Sequence, residues 1–157
     1  MIFEKTILYS LWLITFGLLF IIPRNKRRLA LVAFLFKQAI TWFLGLVIIE
    51  FGLISYPVRF FSEVNRASFI FEFFLYPVVC GIFNAFYPTK RSRIVQLGYY
   101  YLFPTFMTII EVILERYTDL ISYHHWNWFL TWLTLLITFF ITRLFCIWFF
   151  SGLLKET

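Results

Sequence analysis

Five long apolar runs divide this chain, and short polar segments separate them. The runs lie near residues 7–22, 29–49, 67–87, 94–114 and 126–150. A helix of about 20 apolar residues crosses the hydrocarbon core of a bilayer. Because little chain remains between the runs, we predict one membrane domain spanning residues 1–157. The predicted fold class is all-α: a polytopic transmembrane helix bundle of about five spans.

Charge between the runs predicts their direction. Lysine and arginine are enriched on the cytoplasmic side of membrane proteins. The first and third loops are therefore predicted to lie inside, with the N-terminus outside and the C-terminus inside. Apart from Glu156, the acidic residues fall at or near the predicted outer face. The residues assigned to the inner side include Arg24, Lys26, Arg27, Arg28, Lys90, Arg91, Arg93 and Lys155.

Composition supports the membrane class and argues against nucleic acid as a partner. Of the 157 residues, 62% are hydrophobic and only 14% are charged, whereas soluble domains carry about 25% charged residues. The net charge is +6, but seven of the 14 lysines and arginines sit in two tight clusters between apolar runs, where they set orientation. Cys80 and Cys146 lie inside apolar runs without metal-ligand spacing, which is typical of packing residues.

The third run carries polar residues at intervals of four. Glu72, Tyr76, Cys80 and Asn84 therefore share one helix face, and Pro77 is expected to kink the helix beside it. The polar groups of such a seam commonly form hydrogen bonds with one another within a helix interface. Glu72 is the exception, because a carboxylate in an apolar run needs a proton, a cation or a basic partner.

The fourth run places two carboxylates on one face. Glu111 and Glu115 are four residues apart, so they repel each other unless something neutralises them. Three interpretations stay open: one of the two carboxylates takes up a proton, the pair binds a cation, or both residues lie hydrated among lipid headgroups. The pattern favours the last interpretation.

Two further polar features favour structural roles. Lys37, inside the second run, is expected to snorkel towards the inner side or to pair with a neighbouring helix, in preference to forming a functional site. The fifth run carries threonines at intervals of three and four, which predict a helix-packing seam. These residues are Thr131, Thr134, Thr138 and Thr142.

The segment from Glu50 to Glu72 joins the second and third runs. We predict that it forms an amphipathic lid in the outer interface, with Phe60 and Phe61 dipping into lipid. Its terminal carboxylates are then expected to face Glu111 and Glu115. The candidate ligand-binding residues are Glu50, Arg59, Glu72, Tyr76, Glu111 and Glu115.

No catalytic template appears in the chain: GxSxG, HExxH, Walker A and GxGxxG are all absent. His124 and His125 are adjacent and lack HxxxH or HxxE spacing, which favours a hydrated interfacial loop. The sequence therefore predicts no catalytic residue, no metal site and no cofactor.

Three segments resemble a family of small multi-pass membrane proteins from spore-forming bacteria, a family of unknown activity. They read FLFKQAITWFLGLVIIEFGLISYPVRFF, FEFFLYPVVCGIFNAFYP and EVILERYTDLISYHHWNWFLTW. The resemblance covers nearly the whole chain. It implies location and topology, and it transfers no functional residue.

Three functions stay open. The acidic and aromatic outer face favours binding or transport of a cation or an amine. The lack of motifs and the polar seams fit a structural or accessory subunit equally well, with a membrane protein partner or a homo-oligomer beside the lipid bilayer. A membrane enzyme acting on lipid or an envelope precursor ranks last.

Overall fold

The computed structural model describes residues 2–153 and confirms the all-α bundle. The bundle contains α1 (Ile2–Leu18), α2 (Arg27–Glu50), a π-helical segment (Phe69–Leu75) continuing into α3 (Tyr76–Ala85), α4 (Arg93–Tyr117) and α5 (Trp128–Leu153). Short 3-10 turns at Leu19–Ile21 and Arg24–Lys26 join α1 to α2. The predicted cytoplasmic C-terminus with Lys155 lies outside the described residues.

Four of these helices are long and apolar enough to cross a membrane, which agrees with the predicted runs to within a few residues. They extend over Ile2–Ile21, Arg24–Glu50, Arg93–Tyr117 and Trp128–Ser151. The third run forms the shorter apolar helix Phe69–Ala85. We call Phe69–Ala85 the third helix.

The loops gather at two opposite ends of the bundle. At one end, β1 (Ile54–Ser55) pairs antiparallel with β2 (Ser122–Tyr123), so the second and fourth loops lie together at what we call the hairpin end. At the other end, Lys26 Nζ lies 5.5 Å from the centroid of the Phe86 ring. This contact joins the two arginine- and lysine-rich loops at what we call the basic end.

The third helix packs most extensively against α2, and small residues allow the close approach. Gly81 lies so near α2 that an added Cβ would be 3.0 Å from the Ala30 carbonyl oxygen. Ala30 and Ala33 are both buried. Without water between helices, close backbone approach at small residues is a main source of helix association in a membrane.

The expected kink at Pro77 takes the form of a wider helical turn. Tyr76 N–H donates to the Phe71 carbonyl, five residues back, and Pro77 has no N–H to offer Phe73. The carbonyls of Glu72 and Phe73 thus lack their α-helical donors. Two side chains of α2 replace them: Thr41 Oγ1 donates to Glu72 O at 2.7 Å, and Gln38 Nε2 donates to Phe73 O at 2.8 Å.

The segment predicted as an amphipathic lid carries β1 and is otherwise irregular up to the third helix. Between β1 and the third helix the described chain forms turns and bends, with Phe61 in the left-handed region at φ 59°. Phe60 packs against Tyr9, with ring centroids 5.3 Å apart, and Phe61 packs against Phe69 at 5.3 Å. Phe61 is nonetheless 62% exposed, and insertion of Phe60 and Phe61 into lipid stays a prediction.

Substituting Gly81 with alanine should separate α2 from the third helix. The new Cβ meets a backbone oxygen that cannot rotate away, so we expect a loss of about 1–3 kcal/mol in unfolding free energy. Thermal unfolding in detergent measures it. Gly98→Ala is the matched control, because nothing lies within 4 Å of a Cβ there. An equal loss in both variants would contradict the close-packing explanation.

Candidate functional site

A small polar cavity lies inside the bundle towards the hairpin end. Its volume is about 50 Å³, enough for a few water molecules. Residues from α2, the third helix, α4 and α5 surround it, together with Tyr56 after β1 and Trp126 after β2. We call it the polar cavity; its polar lining includes Thr41, Glu72, Tyr76, Glu111, Thr131 and Thr138.

Glu111 lies on one side of the polar cavity, and its side chain accepts three hydrogen bonds. Its carboxylate accepts hydrogen bonds from Tyr76 Oη at 2.6 Å, from Tyr123 Oη at 2.6 Å and from Thr131 Oγ1 at 2.9 Å. Trp126 Nε1 in turn donates to Thr131 Oγ1 at 2.8 Å. With three donors, Glu111 is the better satisfied of the two buried carboxyl groups of the cavity.

Glu72 also lines the polar cavity and has fewer hydrogen-bond partners than Glu111. Its side chain accepts one hydrogen bond from a described residue, from Tyr56 Oη at 2.8 Å. Gly45 on α2 makes room for it, since an added Cβ there would lie 3.0 Å from Glu72 Cδ and 3.3 Å from Oε1. Glu72 is therefore the carboxylate with capacity for a further ligand.

Lys37 lies below the polar cavity and is completely buried. Its ammonium donates to the Thr138 hydroxyl on α5 and lies 4.6 Å from the centroid of the Phe139 ring. The predicted snorkelling is wrong, because the side chain ends inside the bundle. The alternative of pairing with a neighbouring helix is confirmed. Lys37 attracts Glu72 electrostatically, without a direct ion pair among the described residues.

The two tyrosines of the hairpin end stay protonated and act as donors. Burial and the neighbouring Glu72 carboxylate raise the pKa of Tyr56 well above its ordinary value. Burial and Glu111 likewise raise the pKa of Tyr123. A neutral phenol next to a carboxylate donates its proton into the hydrogen bond. Both tyrosines thus direct O–H groups towards the polar cavity.

The structure brings together three of the six predicted ligand-binding residues. Glu72, Tyr76 and Glu111 line the polar cavity, and Glu111 is buried instead of hydrated among headgroups. The exposed Glu50 and the half-buried Glu115 do not line it, so only two of the four carboxylates expected to face one another meet at this cavity.

Arg59 has a structural role in the second loop. Its guanidinium donates to the backbone carbonyls of Asn65 at 2.7 Å, Tyr56 at 2.7 Å and Ser62 at 3.1 Å. These contacts close the turn that follows β1. Arg59 also lines a separate surface depression that shares Tyr56 with the polar cavity.

Sequence reasoning missed the contribution of α5 to the site. The threonine stripe packs helices as predicted, yet Thr131 also donates to Glu111 and Thr138 accepts from Lys37. The sequence feature that could have indicated this contribution is the joint presence, in different apolar runs, of one lysine, two glutamates and a threonine-rich helix face. No spacing within one helix could identify which of these residues meet.

A scan against protein-family models and searches of curated proteins and solved structures found no match to this chain. The resemblance to the family from spore-forming bacteria therefore stays a prediction. Within residues 2–153, no three His, Cys, Asp or Glu residues form a group that could hold a metal ion. The polar cavity offers two carboxylates and several hydroxyl groups.

Removing the Tyr76 hydroxyl should destabilise the site. Tyr76→Phe takes one charge-assisted hydrogen bond from buried Glu111, and we expect a loss of about 1.5–3 kcal/mol in unfolding free energy. Thermal unfolding in detergent measures the loss. Tyr117→Phe is the control, since Tyr117 is 76% exposed. Equal stability of the Tyr76→Phe variant and the wild type would contradict the hydrogen bond.

Proposed function

We propose that this protein binds one small monovalent cation, in exchange for a proton, in the polar cavity of a transport-like membrane protein. The observation that carries the proposal is the charge around the cavity. Two buried carboxylates, Glu72 and Glu111, lie near one buried ammonium, Lys37. If all three are ionised, one negative charge is left without compensation.

An uncompensated charge inside a membrane protein is costly. Removing one partner from a buried charge pair costs about 3–5 kcal/mol, and ionisable groups inside the membrane usually mark ion or proton pathways. A proton or a monovalent cation restores neutrality. Because Glu111 already accepts three hydrogen bonds and Glu72 only one, Glu72 is the carboxylate that exchanges them.

The cavity volume limits the ligand. About 50 Å³ accommodates a cation of one or a few atoms with a water molecule, whereas drug-sized ligands occupy pockets of about 300–1,000 Å³. Of the cations and amines considered from the sequence, the volume favours alkali-metal ions and ammonium over organic amines. The hydroxyl groups of Thr41, Thr131 and Thr134 supply the oxygen atoms that such ions prefer.

The membrane assignment of this proposal is multi-pass, in a bacterial cytoplasmic membrane, with the basic end inside. It is supported by the clustering of lysine and arginine at that end and by four helices long enough to span. The hairpin end and the polar cavity then face outwards. We also propose membership of the small multi-pass family that the three segments resemble.

The direct test is cation binding coupled to proton release. Purified protein in detergent, at constant ionic strength, should gain thermal stability when N-methylglucamine chloride is replaced by lithium, sodium, potassium or ammonium chloride. At least one of these ions should release about one proton per protein into weakly buffered solution. Because protons compete for Glu72, the stabilisation should increase as the pH rises.

Matched variants assign the effect to the polar cavity. Glu72→Gln removes the exchanging charge and should abolish both the stabilisation and the proton release, whereas Glu115→Gln should retain both. Gly45→Ala keeps every charge but crowds the Glu72 side chain, and it should weaken binding. Absence of stabilisation by all four cations, or loss of the effect in Glu115→Gln, would refute the proposal.

A further inference from the structure

A second and larger cavity opens between α4 and α5 at the basic end. Its volume is about 790 Å³, and it is separate from the polar cavity. We call it the Arg143 groove. Its mouth carries Arg93, Gln96, Thr89 and Arg143, and its length is lined by apolar residues of both helices.

Arg143 contributes a positive charge that no acidic residue of the described chain pairs with directly. Its guanidinium carbon lies 4.2 Å from the centroid of the Tyr87 ring, and Nη1 donates to Asn84 Oδ1 at 3.5 Å. Nε is shielded from solvent and has no hydrogen-bond partner among the described residues. A neutral amide and a ring face satisfy the guanidinium only in part, because its ideal partner is an oxyanion.

The distribution of acidic residues explains why a protein partner is missing. No Asp or Glu occurs between Glu4 and Glu50, between Glu72 and Glu111, or between Asp119 and Glu156. Every acidic residue that the structure describes thus belongs to the hairpin half of the bundle. Within residues 2–153, no acidic residue lies in the basic half of the bundle to complement Arg93 and Arg143, so an anion from outside these residues is needed.

The start of α4 favours a phosphate at the same position. Its N-cap residue, Ser92, makes no side-chain capping hydrogen bond, so backbone N–H groups of the first turn keep their capacity to bind an anion. Arg93 is the first residue of this helix and is exposed. Two arginines and a helix N-terminus thus converge on one mouth.

The apolar part of the groove lies on the side of the two arginines that faces the middle of the bundle. On α5, Ile137 and Phe140 precede Arg143, and on α4, Leu97 follows Arg93. From Ile137 to Arg143 the distance along α5 is about 9 Å at 1.5 Å per residue. Leu97 is 57% exposed, Phe140 is 53% exposed and Ile137 is 46% exposed, so all three offer surface to an acyl chain.

We infer that the Arg143 groove binds one anionic phospholipid, with its phosphate at Arg93 and Arg143 and an acyl chain along Leu97, Phe140 and Ile137. A soluble phosphate would use only the mouth and leave the apolar groove empty. A zwitterionic lipid would fill the groove, but its cationic headgroup would lie beside the two arginines. The combination of charge and groove selects a phospholipid with net negative charge.

The test measures lipid-dependent stability of the full chain. Delipidated protein in mild detergent is heated with dioleoyl phosphatidylglycerol, with dioleoyl phosphatidylcholine or with inorganic phosphate, and native mass spectrometry counts retained lipids. Phosphatidylglycerol should raise Tm and remain bound at one molecule per protein, and the other two should have little effect. Each arginine near an anionic lipid contributes about fivefold in affinity.

Variants locate the site. Arg93→Gln and Arg143→Gln should each weaken phosphatidylglycerol binding about fivefold. Arg116→Gln, which removes the same charge from the far end of α4, should leave it unchanged. Arg93 is exposed, so its substitution keeps the test valid if Arg143→Gln fails to fold. Equal stabilisation by phosphatidylcholine or by phosphate, or an equal loss in Arg116→Gln, would overturn the inference.

Discussion

The constraint on which this structure depends is the supply of hydrogen-bond donors to two backbone carbonyls of the third helix. Tyr76–Pro77 removes the α-helical donors of Glu72 O and Phe73 O, and an apolar surrounding offers no water in their place. Thr41 and Gln38 supply the missing donors from α2. The same two contacts fix the register of α2 against the third helix. They bring Gly45 beside Glu72, so a backbone requirement positions the carboxylate that we assign to ion exchange.

The short β1–β2 pairing positions two tyrosines, Tyr56 and Tyr123, at the polar cavity. Ile54 is opposite Tyr123 and Ser55 is opposite Ser122. Tyr56, directly after β1, reaches Glu72, and Tyr123, at the end of β2, reaches Glu111. Two loops that are distant in sequence therefore place one phenol over each carboxylate. The raised pKa of both phenols keeps their protons available for these bonds at neutral pH. The two loops of the hairpin end thus supply hydrogen-bond donors to both carboxyl groups of the polar cavity.

Hydropathy and charge predicted the helices because both are local properties of the chain. The five runs correspond to the observed helices within a few residues, and the spacing of Glu72 and Tyr76 correctly placed both on one face. The errors concern contacts between distant segments. The depth of Lys37 depends on Thr138, about one hundred residues later, and the shape of the second loop depends on pairing with Ser122 and Tyr123. Neither partner leaves a periodic signal in the segment that it constrains, so the polar cavity could be predicted only in part.

The aromatic residues below Lys37 determine what the polar cavity can do in this state. Phe139, under the Lys37 ammonium, packs against Phe83 with ring centroids 5.1 Å apart, and both side chains are fully buried. Phe83 also contacts Tyr99 at 5.3 Å and Phe103 at 5.4 Å. This layer separates the polar cavity from the Arg143 groove and the basic end. Polar groups continue past this layer on one side, because Asn84 Nδ2 donates to the Cys80 carbonyl at 3.0 Å and Arg143 Nη1 donates to Asn84 Oδ1 at 3.5 Å. If the cavity belongs to a transport cycle, an ion at Glu72 has to pass between Phe83 on the third helix and Phe139 on α5, or along these polar groups beside them.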